Sequence, residues 1–247
     1  MTLQRFFKEY PSTAFGFSGG VDSSYLLYAG RHYGADIHAY FVKTAFQPAF
    51  ELDDACRIAE QVGAKMTVIP LDILAHDAVV ANAANRCYHC KQAIFSAIAK
   101  QAESDGYSVI IDGSNASDNA GDRPGMRALN ELSVRSPLRE SGITKSEVRR
   151  LSKDAGLFTH DKPAYACLAT RIPTDVPITA DMLSRVEKAE DALFSLGFSD
   201  FRVRVLSNTA KLQLSPDQMA MALDKREVIL NALAPYFPSV LLDLEGR

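Results

Sequence analysis

The sequence predicts an α/β protein, a parallel sheet flanked by helices, followed by a small α+β domain. Short apolar runs alternate with helix-period segments through the first two thirds of the 247 residues. A glycine-rich turn, Ser18-Gly19-Gly20-Val21-Asp22-Ser23-Ser24, separates the first apolar run from the first helical segment. Beyond residue 177 the order changes to helix, strand, strand, helix, strand.

Taken in order, residues 14–17 read as a short buried strand and 22–33 as a helix. Residues 37–42 and 65–69 read as strands around an amphipathic helix over 51–62, and 107–111 as a fourth strand. Helices are expected over 71–84 and 88–102, the second carrying Ile94, Phe95 and Ile98 at helical spacing. Residues 113–127, rich in Gly, Asn and Asp, read as a long loop, a length that usually marks a functional segment. Thr144 and Glu147 form the signature of a capping box for a helix bearing Val148 and Leu151 and ending near Gly156. Residues 163–177 hold three prolines and a cysteine and read as an interdomain linker. After it come a helix over 180–196, strands over 201–206 and 211–214, a helix over 216–233 and a strand over 240–244.

A hydrophobic fraction of 47% against 23% charged residues excludes disordered and low-complexity classes. With 27 Lys and Arg against 30 Asp and Glu, no global charge draws the chain to nucleic acid or an acidic membrane. The N-terminal residues lack an apolar signal segment, and no run reaches the roughly 18 apolar residues of a membrane span, so a cytoplasmic protein is expected. Four cysteines are too few for a disulfide framework at this length, and Cys-x-x-Cys in a reducing compartment points to metal or redox chemistry.

A strand, a turn with paired glycines and a helix N-terminus together offer unpaired amides and positive dipole to an anion. Ser18, Ser23 and Ser24 add hydroxyl donors, while Asp22 faces phosphate comfortably only through Mg²⁺. The turn is neither a Walker A loop nor a dinucleotide fingerprint. It resembles the PP-loop of the ATP pyrophosphatase superfamily, whose members cleave ATP between its α and β phosphates and adenylate a substrate. That resemblance implies that Ser18, Gly19, Gly20, Asp22, Ser23 and Ser24 hold the pyrophosphate. The loop Asp112-Gly113-Ser114-Asn115-Ala116-Ser117-Asp118 follows the fourth strand, on the same expected sheet edge. It is either a self-capping Asx turn or the completion of the nucleotide and Mg²⁺ site through Ser114, Asn115 and Asp118.

Cys87-Tyr88-His89-Cys90 begins a helix, and Cys167 lies in the linker. Three thiolates suit a metal centre with one open position. Zinc would need a fourth ligand such as His89 or His160, whereas a [4Fe-4S] cluster can be held by three thiolates, the reading favoured here over a Cys87–Cys90 disulfide. Cys56, inside a helical segment, reads as an inert core residue.

The segments FSGGVDSS, RCYHCK, DGSNASDNAGDRPGMRAL, SPLRESGITKSEVRRL, DKPAYACLATRIP and ITADMLSRVEKAE, in this order over residues 12–206, resemble the ATP-dependent sulfur transferase family LarE. The family helps build a nickel-pincer nucleotide cofactor. The resemblance implies a PP-loop domain over 1–170 and a substrate-binding or oligomerisation domain over 171–247. It implies adenylation of a carboxylate on a pyridinium dicarboxylate mononucleotide, then displacement of AMP by sulfur. One class of the family sacrifices the sulfur of the cysteine matching Cys167; another holds a [4Fe-4S] cluster on cysteines matching Cys87, Cys90 and Cys167, the class expected here. The family places anion-binding arginines on the strand carrying Arg202 and Arg204, which alternate with apolar residues and so share one face. Arg171 and Glu187 join them as expected substrate contacts, and Arg127 as a neighbour of the ATP phosphates. Two departures stand out: Thr174-Asp175 replaces a frequent Tyr-Gly, and Gln213 stands where an acidic residue is common.

Expected partners are a nucleotide substrate, sulfide or another sulfur donor, and further copies of the chain, with no nucleic acid. A tRNA thiolase would call for a basic RNA-binding surface. An amide-forming ligase would leave the three cysteines without a role, and a nucleotide-binding module without chemistry would not need the intact serine-glycine turn.

Overall fold

The computed structural model describes residues 1–118 and 124–247. Helix α1 (Leu3–Glu9) leads into β1 (Ser12–Gly16), α2 (Val21–His32), β2 (Asp36–Lys43), α3 (Ala49–Gln61) and β3 (Lys65–Pro70). Next come α4 (Asp77–Val80), α5 (Arg86–Ser104), β4 (Ile110–Asp112), α6 (Pro124–Glu131), α7 (Pro137–Glu140) and α8 (Lys145–Asp154). The four strands form one sheet in the order β3-β2-β1-β4, every pair parallel. This is the α/β architecture expected.

Strand alternation divides the core. Phe15, Ile37, Ala39 and Phe41 pack with α1, α2 and α8 through residues such as Phe6, Leu26 and Val148. Ala14, Tyr40 and Val42 point to the opposite face, where Phe95 and Ile98 of α5 and Met126 and Leu129 of α6 cover them. A parallel sheet buried on both faces needs such apolar residues at successive positions. The connections bring the residues after β1 and β4 to the carboxyl edge, where ligands bind in open α/β sheets.

The second set of elements is α9 (Ala180–Ser195), β5 (Arg202–Leu206), β6 (Thr209–Gln213), α10 (Met219–Asp224), α11 (Arg226–Leu233) and β7 (Ser239–Leu242). Its three strands run β5-β6-β7, the first pair antiparallel and the second parallel. The chain divides into two units: Met1–Ile73 with Asn85–Lys162, and Leu74–Ala84 with Pro163–Arg247.

Several sequence expectations change. Residues 71–84 form not one helix but a 3-10 turn at Ile73–Ala75 and the four-residue α4. Asn82, at φ 55°, cannot continue a helix, and its amide donates to the carbonyls of Pro173 (2.8 Å) and Val176 (3.0 Å). This fixes the segment within the second unit. Residues 163–177 are no open linker, because Leu168, Ala169, Arg171 and Ile172 are buried. The helix over 216–233 breaks at Lys225, whose ammonium donates to the Leu196 carbonyl at 2.7 Å. The loop over 113–127 gives way to α6 at Pro124, and its residues 119–123 lie outside the described residues. Cys56 is exposed on α3 rather than in the core. The capping box is present in full: Thr144 and Glu147 exchange backbone and side-chain hydrogen bonds at the start of α8.

Candidate functional site

A cavity of about 340 Å³ opens at the carboxyl edge of the first unit's sheet. Ser18, Gly20, Asp22 and Ser23 line one side, Asp112, Gly113, Ser114 and Asp118 another, and Tyr40, Val42, Ile94, Phe95 and Ile98 an apolar wall. Its size and its mixture of apolar wall and convergent polar groups are those of a small-molecule site.

Gly19 sits at φ 70°, and a Cβ there would meet Ala55 of α3 at 3.1 Å, so only glycine lets the loop turn this tightly against its neighbour. The Ser23 hydroxyl donates to the Gly20 carbonyl at 3.0 Å and lies 3.1 Å from the Ser18 hydroxyl, bracing the loop. α2 then begins at Val21 with no side chain capping it. Its first amides and positive end are therefore open to an anion.

Asp22 has two unlike oxygens. Oδ2 forms an ion pair with the Lys145 ammonium at 2.5 Å. Oδ1 is buried and has no hydrogen-bond partner among the described residues, and the same holds for the Ser24 hydroxyl. Burial pushes the Asp22 carboxyl above its ordinary range, Lys145 pulls it back, and Asp118 adds to the rise. A buried orphan oxygen is costly, and a bound cation or donor would satisfy it. Lys145 was not foreseen, yet a signal exists: a lysine at the first position of a helix opposes the helix dipole.

The second loop is partly self-satisfied. The Asn115 amide N–H donates to Asp118 Oδ2 at 3.0 Å, and Asn115 Oδ1 accepts from the Ser117 N–H at 2.8 Å. Both the self-capping turn and the cavity wall are thus present, because Asp118 serves in each. Asp112 accepts from Ser136 at 2.6 Å and from Ser114. The Lys145 N–H donates to the Ser117 hydroxyl at 3.0 Å, tying this loop to the start of α8. Arg127 does not line the cavity: its guanidinium lies 4.1 Å from the Tyr88 ring centroid and pairs with Glu131.

Cys87 and Cys90 are the second and fifth residues of α5, and all four cysteines are thiols. Three sulfur donors suit an iron-sulfur cluster chemically. Among the described residues, however, no three His, Cys, Asp or Glu side chains converge as a ready metal site.

In the second unit, Arg171 is fully buried. It makes a two-pronged pair with Glu190 (2.9 and 3.1 Å) and also donates to the carbonyls of Ala166 and Cys167. Glu190 further accepts from the Val203 N–H at 3.0 Å and from the Tyr165 hydroxyl. Arg171 therefore anchors the Cys167 backbone. Arg202 is buried too, donating to the carbonyls of Phe201 and Ala164 at 2.6 Å. Burial, then the charges of Arg171 and Arg247, bring its pKa down to about 10. Arg204 is exposed and donates to the Thr170 carbonyl at 2.8 Å and to Gln213, which passes the contact on to Asp243 at 2.7 Å. Glu187 is half-buried on α9, one turn before Glu190. Glu190 escaped the sequence reading, although it interrupts the inward stripe of Leu183, Val186, Ala189 and Leu193. Asp175 adopts φ 66°, a conformation that the glycine of the frequent Tyr-Gly would take without strain.

No helix among the described residues is long and apolar enough to cross a membrane. No family model matches the chain. It is 37% identical to an uncharacterised protein of Synechocystis, over 99% of this chain and 92% of that one. It is 31% identical to the pyridinium-3,5-bisthiocarboxylic acid mononucleotide synthase of Lactiplantibacillus plantarum, over 99% of this chain and 90% of the synthase. An uncharacterised protein of Methanocaldococcus jannaschii is 28% identical over 93% and 88%.

Proposed function

Because the chain belongs to the LarE family, that of the Lactiplantibacillus synthase, we propose that it is an ATP-dependent sulfur transferase that converts a carboxylate of a pyridinium dicarboxylate mononucleotide to a thiocarboxylate. The observation that carries the nucleotide half is the orphaned Asp22 Oδ1 beside an uncapped helix start in a cavity with one apolar wall.

The adenine fits the apolar wall of Tyr40, Val42, Ile94, Phe95 and Ile98, and the phosphates fit Ser18, Gly20 and Ser23, which line the cavity, with Gly19 and the buried Ser24 hydroxyl completing the loop. Asp22 and Asp118 would hold Mg²⁺, which neutralises triphosphate charge when bound. Ser114 and Asn115 shape the facing loop. A substrate carboxylate oxygen attacks the α-phosphorus, the bond to the β-phosphate oxygen breaks, and pyrophosphate leaves. Sulfur then attacks the acyl carbon, and AMP departs with the former carboxylate oxygen. Serine hydroxyls and the α2 amides stabilise the charge that develops on the leaving pyrophosphate. Arg204, exposed on β5, would meet the substrate's phosphate and Glu187 of α9 another part of that substrate; the buried Arg171 and Arg202 support the backbone of residues 164–167.

Cys87, Cys90 and Cys167 would hold a [4Fe-4S] cluster, which when bound supplies an iron able to carry exchangeable sulfide. Cys167 is in either case the thiol on which sulfur delivery depends.

The test is mass spectrometry of an anaerobic reaction with iron-reconstituted protein, Mg-ATP, sulfide and the pyridinium substrate. Thiocarboxylate with protein of unchanged mass is expected. Dehydroalanine at Cys167 would instead mark that residue as a single-use donor, and no thiocarboxylate at all would overturn the function. Cys167→Ser should still release pyrophosphate while forming no thiocarboxylate.

A further inference from the structure

We propose that Lys91 is the phosphate-contacting cation of the cavity, held at the level of the α-phosphate by a space that Gly125 leaves open. The inference rests on the nucleotide reading above and gives a role to the lysine that directly follows Cys90.

The observations are local to α5 and α6. Three carboxylates, Asp22, Asp112 and Asp118, line the cavity, and Lys91 is the one lysine or arginine among its described lining residues. A triphosphate cannot enter such a wall without cations. Asp22 and Asp118 would hold Mg²⁺, and on the α5 side of the cavity the cation is Lys91. Among the described residues no carboxylate or carbonyl holds its ammonium, whereas Lys145 is committed to Asp22.

Position along α5 sets the level. Cys87, Lys91, Ile94 and Ile98 are spaced four, three and four apart and share one face of the helix. Ile94 and Ile98 belong to the apolar wall, so the face runs from the base pocket through Lys91 to Cys87. With a rise of about 1.5 Å per residue, Lys91 lies roughly 6 Å from Cys87 along the axis and about 4.5 Å from Ile94. The α-phosphate is the group that sits between base and pyrophosphate, and it is where adenylation occurs. Lys91 meets it one helical turn from the first cysteine of the Cys-x-x-Cys pair.

Gly125 supports this placement. A Cβ there would stand 3.1 Å from Lys91 Cδ and 3.2 Å from Cε, so the bare backbone of α6 forms the seat of the lysine stem. An alanine would favour the helix by itself and would push the stem aside.

The test is isothermal titration of the full chain with adenosine, AMP and Mg-ATP. Lys91→Met should bind adenosine as wild type does and bind AMP and Mg-ATP roughly tenfold or more weakly, the loss of one charge-assisted contact. Lys91→Arg should recover part of that loss. Gly125→Ala should weaken AMP and Mg-ATP binding while its melting temperature stays level or rises, a combination that a purely structural role would not give. If wild type bound none of the three ligands, the nucleotide reading and this inference would fall together. If wild type bound AMP and Mg-ATP and Lys91→Met bound them equally well, the inference alone would be overturned.

Discussion

Asp22 and Glu190 are both carboxylates drawn out of water and set against a basic side chain, one in each unit of the chain. Every oxygen of Glu190 is engaged: Oε1 by Arg171 and the Val203 amide, Oε2 by Arg171 and Tyr165. Asp22 shares one oxygen with Lys145 and leaves the other buried and without a partner among the described residues. A completed network of this kind holds a fold, whereas an incomplete one waits for a ligand. Arg171 and Glu190 are thus masonry around Cys167, and Asp22 is one half of a binding site.

The largest way to break this contrast is Glu190→Ala. It strands the buried Arg171 charge and should lower unfolding stability by about 3–5 kcal/mol in urea titration; a loss below about 1 kcal/mol would mean that the pair is ornamental. Asp22→Asn should do the reverse, cutting pyrophosphate release by about 100-fold while leaving the fold intact. The sign of its stability effect follows from burial. A carboxyl whose folded pKa is raised contributes stability below its unfolded value of 3.8 and loses it as pH rises through the folded pKa. At neutral pH the asparagine variant should therefore melt no earlier than wild type.

A smaller effect is expected at the start of α8, which carries Lys145 to Asp22. Thr144→Ala removes the cap and should cost about 1 kcal/mol in thermal or chemical unfolding. The smallest concerns Arg135 and Glu140 in the first unit, a bidentate pair with both side chains about one third exposed. The Arg135 hydrogen bond holds the Glu140 carboxyl below its usual 4.5. Its contribution is present above 4.5 and disappears as pH falls through the lower folded value. Glu140→Gln should accordingly melt below wild type at pH 6, and the gap should close in the acid limb.

Much of the first unit was legible because local signals agree with one another. Apolar strands, the serine-glycine turn and the capping box each specify their own geometry; the turn and the box stand where read, while the first strand shifts to Ser12–Gly16 and the fourth, read over 107–111, shortens to Ile110–Asp112. The second loop was half legible, since the Asx turn and the cavity wall share Asp118, while Asn115 serves the turn. Partner assignments were not legible. Nothing near Arg171 in sequence reveals that Glu190, nineteen positions on in another element, will neutralise it. Residues 71–84 failed for a similar reason: Asn82 is claimed by carbonyls some ninety positions later. Lys91 and Lys145 were overlooked because the cysteines beside the one and the capping pair around the other carry the local signal, and only the fold sets them at the cavity and at Asp22.

The most direct measurement of adenylation is isotopic. The substrate carboxylates are labelled with ¹⁸O, the reaction is run with Mg-ATP and sulfide, and the AMP is recovered for mass analysis. One ¹⁸O atom in AMP is expected for each thiocarboxylate formed, because the carboxylate oxygen leaves on phosphorus. Unlabelled AMP, or ADP in its place, would contradict it.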